Sequence, residues 1–221
     1  MLLWLRNIIR DTPTRMGRLI GALGAGWSVV SFRESAAWLH AVLTYSFDVI
    51  GGPEIIQSAI RALTVARPLT NKEVEAAKRV LGTAAIRYRD VRVAHGGILQ
   101  FIFKLNRQRA FATWHTINLP GHRMNNLPLI VHELVHTCQF EKVGSIYIGQ
   151  GLWAQFRHGT GAYDYGGSTG LNAAHSAGKH FSDYNREQQG QIAQDYYDRL
   201  QTELGTEAYE PFIDELRLGA L

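Results

Sequence analysis

Through the first 66 residues the apolar positions recur at helical spacing. The clearest stretches are 34–50 (ESAAWLHAVLTYSFDVI) and 53–66 (PEIIQSAIRALTVA), with Gly51-Gly52-Pro53 breaking between them. A boundary at Arg67-Pro68 divides an N-terminal helical region, 1–66, from a second domain, 67–221. In that domain Thr70 and Glu73 form a capping box and Gly82 supplies a stop, which predicts a helix over 71–81. The period then changes to two. Segments 85–94, 98–105 and 110–119 are rich in β-branched and aromatic residues and read as three strands of a small antiparallel sheet. After Pro120 and Gly121, Asn125 or Asn126 caps a helix that runs through LIVHELVHTCQFEKV to Gly144. Residues 145–157 are a further helix candidate, weakened by two internal glycines. Residues 158–180 show no period and are expected as a long loop. Residues 185–204 are strongly helical, and 207–217 add a short terminal helix. Together these elements predict an α+β fold.

Composition narrows the function classes. A formal charge of +4 and a pI near 9.3 suit solubility or weak attraction to anionic surfaces, and give no case for nucleic acid as a partner. Arg6, Arg10, Arg15 and Arg18 are interleaved with Leu2, Leu3, Leu5, Ile8 and Ile9. One reading is a basic amphipathic element for peripheral membrane contact or an acidic partner. The plainer expectation is a helix that packs its Leu/Ile face on the body and solvates its arginines. The start MLLWLRNIIRDTP lacks signal-peptide order, and the uncharged run 19–32 is too short to span a bilayer. The lone cysteine, Cys138, implies no oxidising compartment and reads as a small buried apolar residue. Cytoplasmic location is the default expectation.

The chemistry lies in His132-Glu133-Leu134-Val135-His136, an HExxH motif. A spacing of four puts both imidazoles on one helix face as ligands of a single Zn²⁺. Glu133 falls in the neighbouring sector, where it can serve as catalytic base to a metal-activated water. A catalytic zinc takes three protein ligands. The continuation TCQFEK lacks the glycine and third histidine of a metzincin, so the third ligand is expected from an acid on a later helix, as in gluzincins. Glu187, at the start of 185–204, is the best candidate, with His158, His175, His180 and Asp195 as rivals. A gluzincin carries a supporting acid four residues after that ligand. Here the position is Gln191, so the supporting role falls to Gln191 or Asp195, or is missing. Tyr163, Tyr165, His175 and His180, between the two helices, are the candidates for stabilising an oxyanion, the plainer expectation for each being packing for the tyrosines and solvent exposure for the histidines.

The segments LTNKEVEAAKRVLGTAAIRYRDVRVA, HELVHTCQFEKVGSIYI, YDYGG and NREQQGQIAQDYY resemble a group of bacterial zincin-like domains. These are mostly domains of unknown function or proteins related to the Vgr spike of type VI secretion, found near injection and polymorphic-toxin systems. Their HELxHxxQ motif is matched by His132, Glu133, His136 and Gln139. Their EQQA motif is matched by Glu187, Gln188 and Gln189, with Gly190 in place of alanine. The resemblance covers roughly 66–204. It implies a metallopeptidase-like fold, a bacterial secretion-system partner and export by a route without a signal peptide; it implies no substrate. Two functions follow as expectations. One is a gluzincin-like zinc metallopeptidase acting on peptide or protein substrates. The other is a non-catalytic zinc-binding structural or interaction module, whose site would be closed by a fourth side chain such as His158, His175 or His180.

Overall fold

The computed structural model describes residues 2–29 and 31–221. Three helices come first: α1 (Leu2–Ala25), α2 (Phe32–Val49) and α3 (Gly52–Ala62). Strand β1 (Val65–Pro68) runs across the 66/67 boundary, and α4 (Asn71–Leu81) follows with the Thr70/Glu73 capping box and Gly82 as its stop. The remaining strands are β2 (Arg92–His95), β3 (Phe111–Thr113) and β4 (Thr116–Asn118). Helix α5 (Leu99–Leu105) lies between β2 and β3. The last helices are α6 (Leu127–Val143), α7 (Ile146–His158), α8 (Gly167–Ser176), α9 (Arg186–Gln201) and α10 (Glu210–Leu218). The fold is mixed α+β. Among the described residues no helix is long and apolar enough to cross a membrane.

The sheet differs from the expected three antiparallel strands. It has four, in the order β1-β2-β4-β3. β1 pairs antiparallel with β2 (Val65 opposite His95), β2 parallel with β4 (Arg92 opposite Thr116), and β3 antiparallel with β4 (Phe111 opposite Asn118). Segment 98–105 is a helix. Leu99 and Phe103, four apart, are buried against Ala94, while Phe101 and Leu105 face out. That packing overrides a strand-prone composition. In 85–94 only the end is a strand, because 88–90 form a 3-10 turn and Arg87 swings out to Asp11 and Glu141. Segment 110–119 divides into a hairpin at Trp114-His115. The expected loop 158–180 contains a 3-10 turn (Gly159–Tyr163) and α8, anchored by the fully buried Leu171.

The core packs α6 against α9 and α4, with Ile130, Leu134, Val135, Ile192 and Phe212 among its fully buried side chains. The N-terminal helix follows the expected amphipathic docking only in part: Ile8 is half-buried against Gly51, and the side chains of Leu2 and Leu3 lie outside the described residues. Arg15 is buried, bonded to Glu54 and to the Asp48 carbonyl, and Arg18 donates to the carbonyls of Glu141 and Lys142. Leu5, Ile9, Met16, Ile20 and Leu23 are exposed instead. The body offers α1 acids and carbonyls, and ionic pairing decides which face turns inward. Helix α2 reaches further still. Asp48 accepts from the backbone N–H and hydroxyl of Ser145. Ser145 Oγ in turn takes the Trp114 indole N–H at 2.6 Å. Trp114 has a left-handed backbone (φ 55°), so these contacts hold the strained turn that sets β3.

Candidate metal centre

Helix α6 is capped by the Asn126 side chain, which accepts from Leu129 N, and it ends at Gly144. Every residue from Ile130 to Phe140 is buried, so this helix is enclosed on all sides. His132 and His136 share a face, their rings 5.1 Å apart. Across from them stands Glu187 in the first turn of α9, where Asn185 Oδ1 accepts from Glu187 N and Gln188 N. Glu187 Oε2 lies 3.6 Å from Nε2 of each histidine. Donors about 2.0–2.2 Å from a tetrahedral ion sit roughly 3.4 Å apart, so the spacing suits one ion. These three residues form a buried group that could hold a metal. Two imidazole nitrogens and one carboxylate oxygen are also a chemically fitting donor set.

The electrostatics agree. Burial alone would raise the Glu187 carboxyl, but the imidazoles, His136 foremost, hold it well below the usual carboxylate range. Burial also opposes a charged His136, yet Glu187 outweighs it and raises that imidazole to about 9.

Glu133 is buried beside this group, and Oε2 has no hydrogen-bond partner. Burial raises its carboxyl above the ordinary range. Glu133 and the three metal-capable residues all line one cleft of about 490 Å³. Tyr163 lines it too, its ring 5.9 Å from that of His132, and burial pushes its hydroxyl pKa up, so it stays protonated. β3 forms part of the wall and is the edge of the sheet. The Tyr147 hydroxyl pins that strand, accepting from Trp114 N and donating to Ala112 O, while its ring stacks on His136.

Other candidates lie elsewhere. Tyr165 donates to Asp195 and meets Tyr209, away from the cleft, and Gln191 donates to Asp195 at 2.7 Å. His180 pairs with Glu215, His175 sits edge-on to Phe212, and His158 is exposed at the end of α7. Cys138 is buried, its thiol pushed up to about 12 by that burial.

The three metal-capable residues are supported by further side chains. His136 Nδ1 meets Gln139 Oε1 at 2.8 Å, and Gln139 Nε2 donates to Gln189 Oε1 and to the Arg186 carbonyl. Gln189 Nε2 donates to the Phe181 carbonyl. Carbonyls only accept, so the direction of the whole chain is fixed and His136 must donate through Nδ1. Nε2 is then the nitrogen left to face Glu187, and the one that would bind an ion once deprotonated. Both glutamines are fully buried. Glu187 is steadied from α7, where Gln155 Nε2 donates to Oε1 at 2.9 Å. The glycines that weaken the α7 helix pattern mark close approaches. A Cβ at Gly151 would lie 3.1 Å from Glu187 Oε1, and one at Gly149 would strike the His40 ring. A Cβ at Gly190 would come within 2.8 Å of the His132 ring, so the close approach of α9 to α6 there needs glycine.

Gln139→Ala should leave His136 free to rotate and to change tautomer. Divalent-metal affinity, measured by chelator competition, is expected to fall about 10–100-fold while the fold persists. Unchanged affinity would mean that the glutamine chain does not orient the ligand.

Comparison with protein-family models, with curated proteins and with solved structures returned no match.

Proposed function

We propose that this protein is a zinc-dependent metallopeptidase of gluzincin-like type on a zincin-like fold, hydrolysing peptide bonds with Glu133 as general base. One observation carries the reading. Three donors converge at the wall of a cleft, and among the described residues no fourth protein donor joins them. A structural zinc site is closed by four side chains, whereas a catalytic one keeps a position open.

A zinc ion held by His132, His136 and Glu187 would supply Lewis acidity, lowering the pKa of a water and polarising a carbonyl. Glu133 Oε2, unpartnered in the protein, takes the water's proton and returns it to the leaving amine. Its raised pKa makes it a stronger base than a solvated carboxylate. The Tyr163 hydroxyl, kept protonated by burial, donates to the oxyanion. The edge strand β3 offers its free side to an extended peptide.

The zinc-loaded protein should cleave members of a quenched fluorescent peptide library. Activity should be lost to a chelator and restored by stoichiometric zinc. Failure to cleave any member when fully zinc-loaded would favour the non-catalytic module.

A further inference from the structure

Besides its histidines and tyrosines, the cleft is lined by four ionisable residues. Glu133 and Glu187 belong to the metal centre; the others are Arg107 and Arg109. A divalent cation would offset the two glutamates, leaving both arginine charges uncompensated.

Elsewhere in the chain Arg6, Arg10, Arg15, Arg67, Arg87 and Arg217 all meet carboxylates. Arg107 and Arg109 make no such ion pair among the described residues, and Arg109 is half-buried. Arg109 and Tyr163 line the same cleft.

The backbone is bent to put them there. Arg107 (φ 61°) and Gln108 (φ 59°) are consecutive non-glycine residues in the left-handed region. That conformation is disfavoured for L-residues and marks sites where other contacts over-determine the chain. Here Gln108 N donates to the Phe103 carbonyl at 2.7 Å, and Asn106 Nδ2 donates to the Arg109 carbonyl at 3.0 Å. The turn stops α5 and sets both arginines in the lining of the cleft. Beside them the lining is apolar, with Leu105 and Leu152 exposed and Phe111 in the wall.

We propose that this cleft selects a peptide bearing a carboxylate, bound by Arg109 with support from Arg107, next to a large apolar side chain seated against Leu105, Leu152 and Phe111. The planar guanidinium fork fits a carboxylate with two parallel hydrogen bonds, and the partly buried setting screens the pair less than open solvent. The carboxylate could be the peptide C-terminus or an acidic side chain. Selection during hydrolysis rests on the metallopeptidase reading; binding does not.

The test is therefore made on Glu133→Gln protein, by fluorescence anisotropy. The probes are fluorescein-labelled hexapeptides containing leucine and phenylalanine. A glutamate is moved through each position, with a glutamine twin for each, and every peptide is made as free acid and as amide. The best acidic member is expected to bind about ten- to a hundredfold tighter than its neutral twin. The glutamine twins identify a side-chain source and the amides a C-terminal one. Arg109→Gln should abolish the preference, Arg107→Gln should reduce it, and Arg109→Lys should restore it in part. Equal binding of acidic and neutral twins, no binding of any acidic probe, or a preference that survives Arg109→Gln would each overturn the proposal. Cleavage of neutral peptides by the wild-type protein would still leave the metallopeptidase reading intact.

Discussion

Glu133→Gln is expected to keep one zinc per chain and to lose peptide hydrolysis by about two to four orders of magnitude, the usual contribution of a positioned base. The substitution is nearly isosteric, and Glu133 is not among the three residues whose donor atoms converge. The ligand geometry should therefore be unaffected. The protein also contributes no hydrogen bond to Oε2 that the substitution would break. An amide cannot take the proton, so the loss should appear in kcat and much less in peptide binding. Metal analysis alongside single-turnover kinetics separates the outcomes. A variant that loses its zinc would make Glu133 a ligand, and one that keeps its rate would remove it from the chemistry.

Those parts of the molecule set by neighbours in sequence were legible. Helix α4 begins at its Thr70/Glu73 capping box, and α6 at Asn126, because caps act within three residues. His132 and His136 meet because four residues return a helix to the same face. Glu187 could be nominated because the third ligand must come from a later helix, and its position at a helix N-terminus is distinctive. Contacts between distant elements were not legible. Gln155 reaches Glu187 from another helix, and nothing local marks it apart from the glycine at 151 that permits the approach. The parallel pairing of β2 with β4 spans an intervening helix and hairpin, which alternation within a segment cannot report. The face of α1 that turns inward was decided by Glu54, by Asp48 and by the carbonyls of Glu141 and Lys142, all remote in sequence. Segment 98–105 shows the same limit, because its residue types favour a strand while the burial of Leu99 and Phe103 selects a helix.

Glu187→Gln should weaken zinc binding by more than tenfold at pH 7, and the deficit should grow as pH rises. Two effects oppose each other. The variant loses the only carboxylate among three donors, which costs affinity at every pH. It also loses the charge that raises His136 to about 9. In the wild-type protein an imidazolium must give up its proton before the ion can bind, so affinity is suppressed below pH 9 and recovers as pH increases toward it. In the variant His136 should titrate nearer the ordinary histidine value of about 6.5, and little suppression remains at pH 7. The wild-type protein should therefore gain one to two orders of magnitude in zinc affinity between pH 7 and pH 9, whereas the variant gains little. Chelator competition across this range gives the affinities, and calorimetry in two buffers of different ionisation enthalpy gives the protons released. Glu203→Gln is the control, because Glu203 lies exposed beyond the end of α9. It should follow the wild-type curve. Coincident curves for wild type and Glu187→Gln would mean that Glu187 neither binds the ion nor sets the protonation of His136.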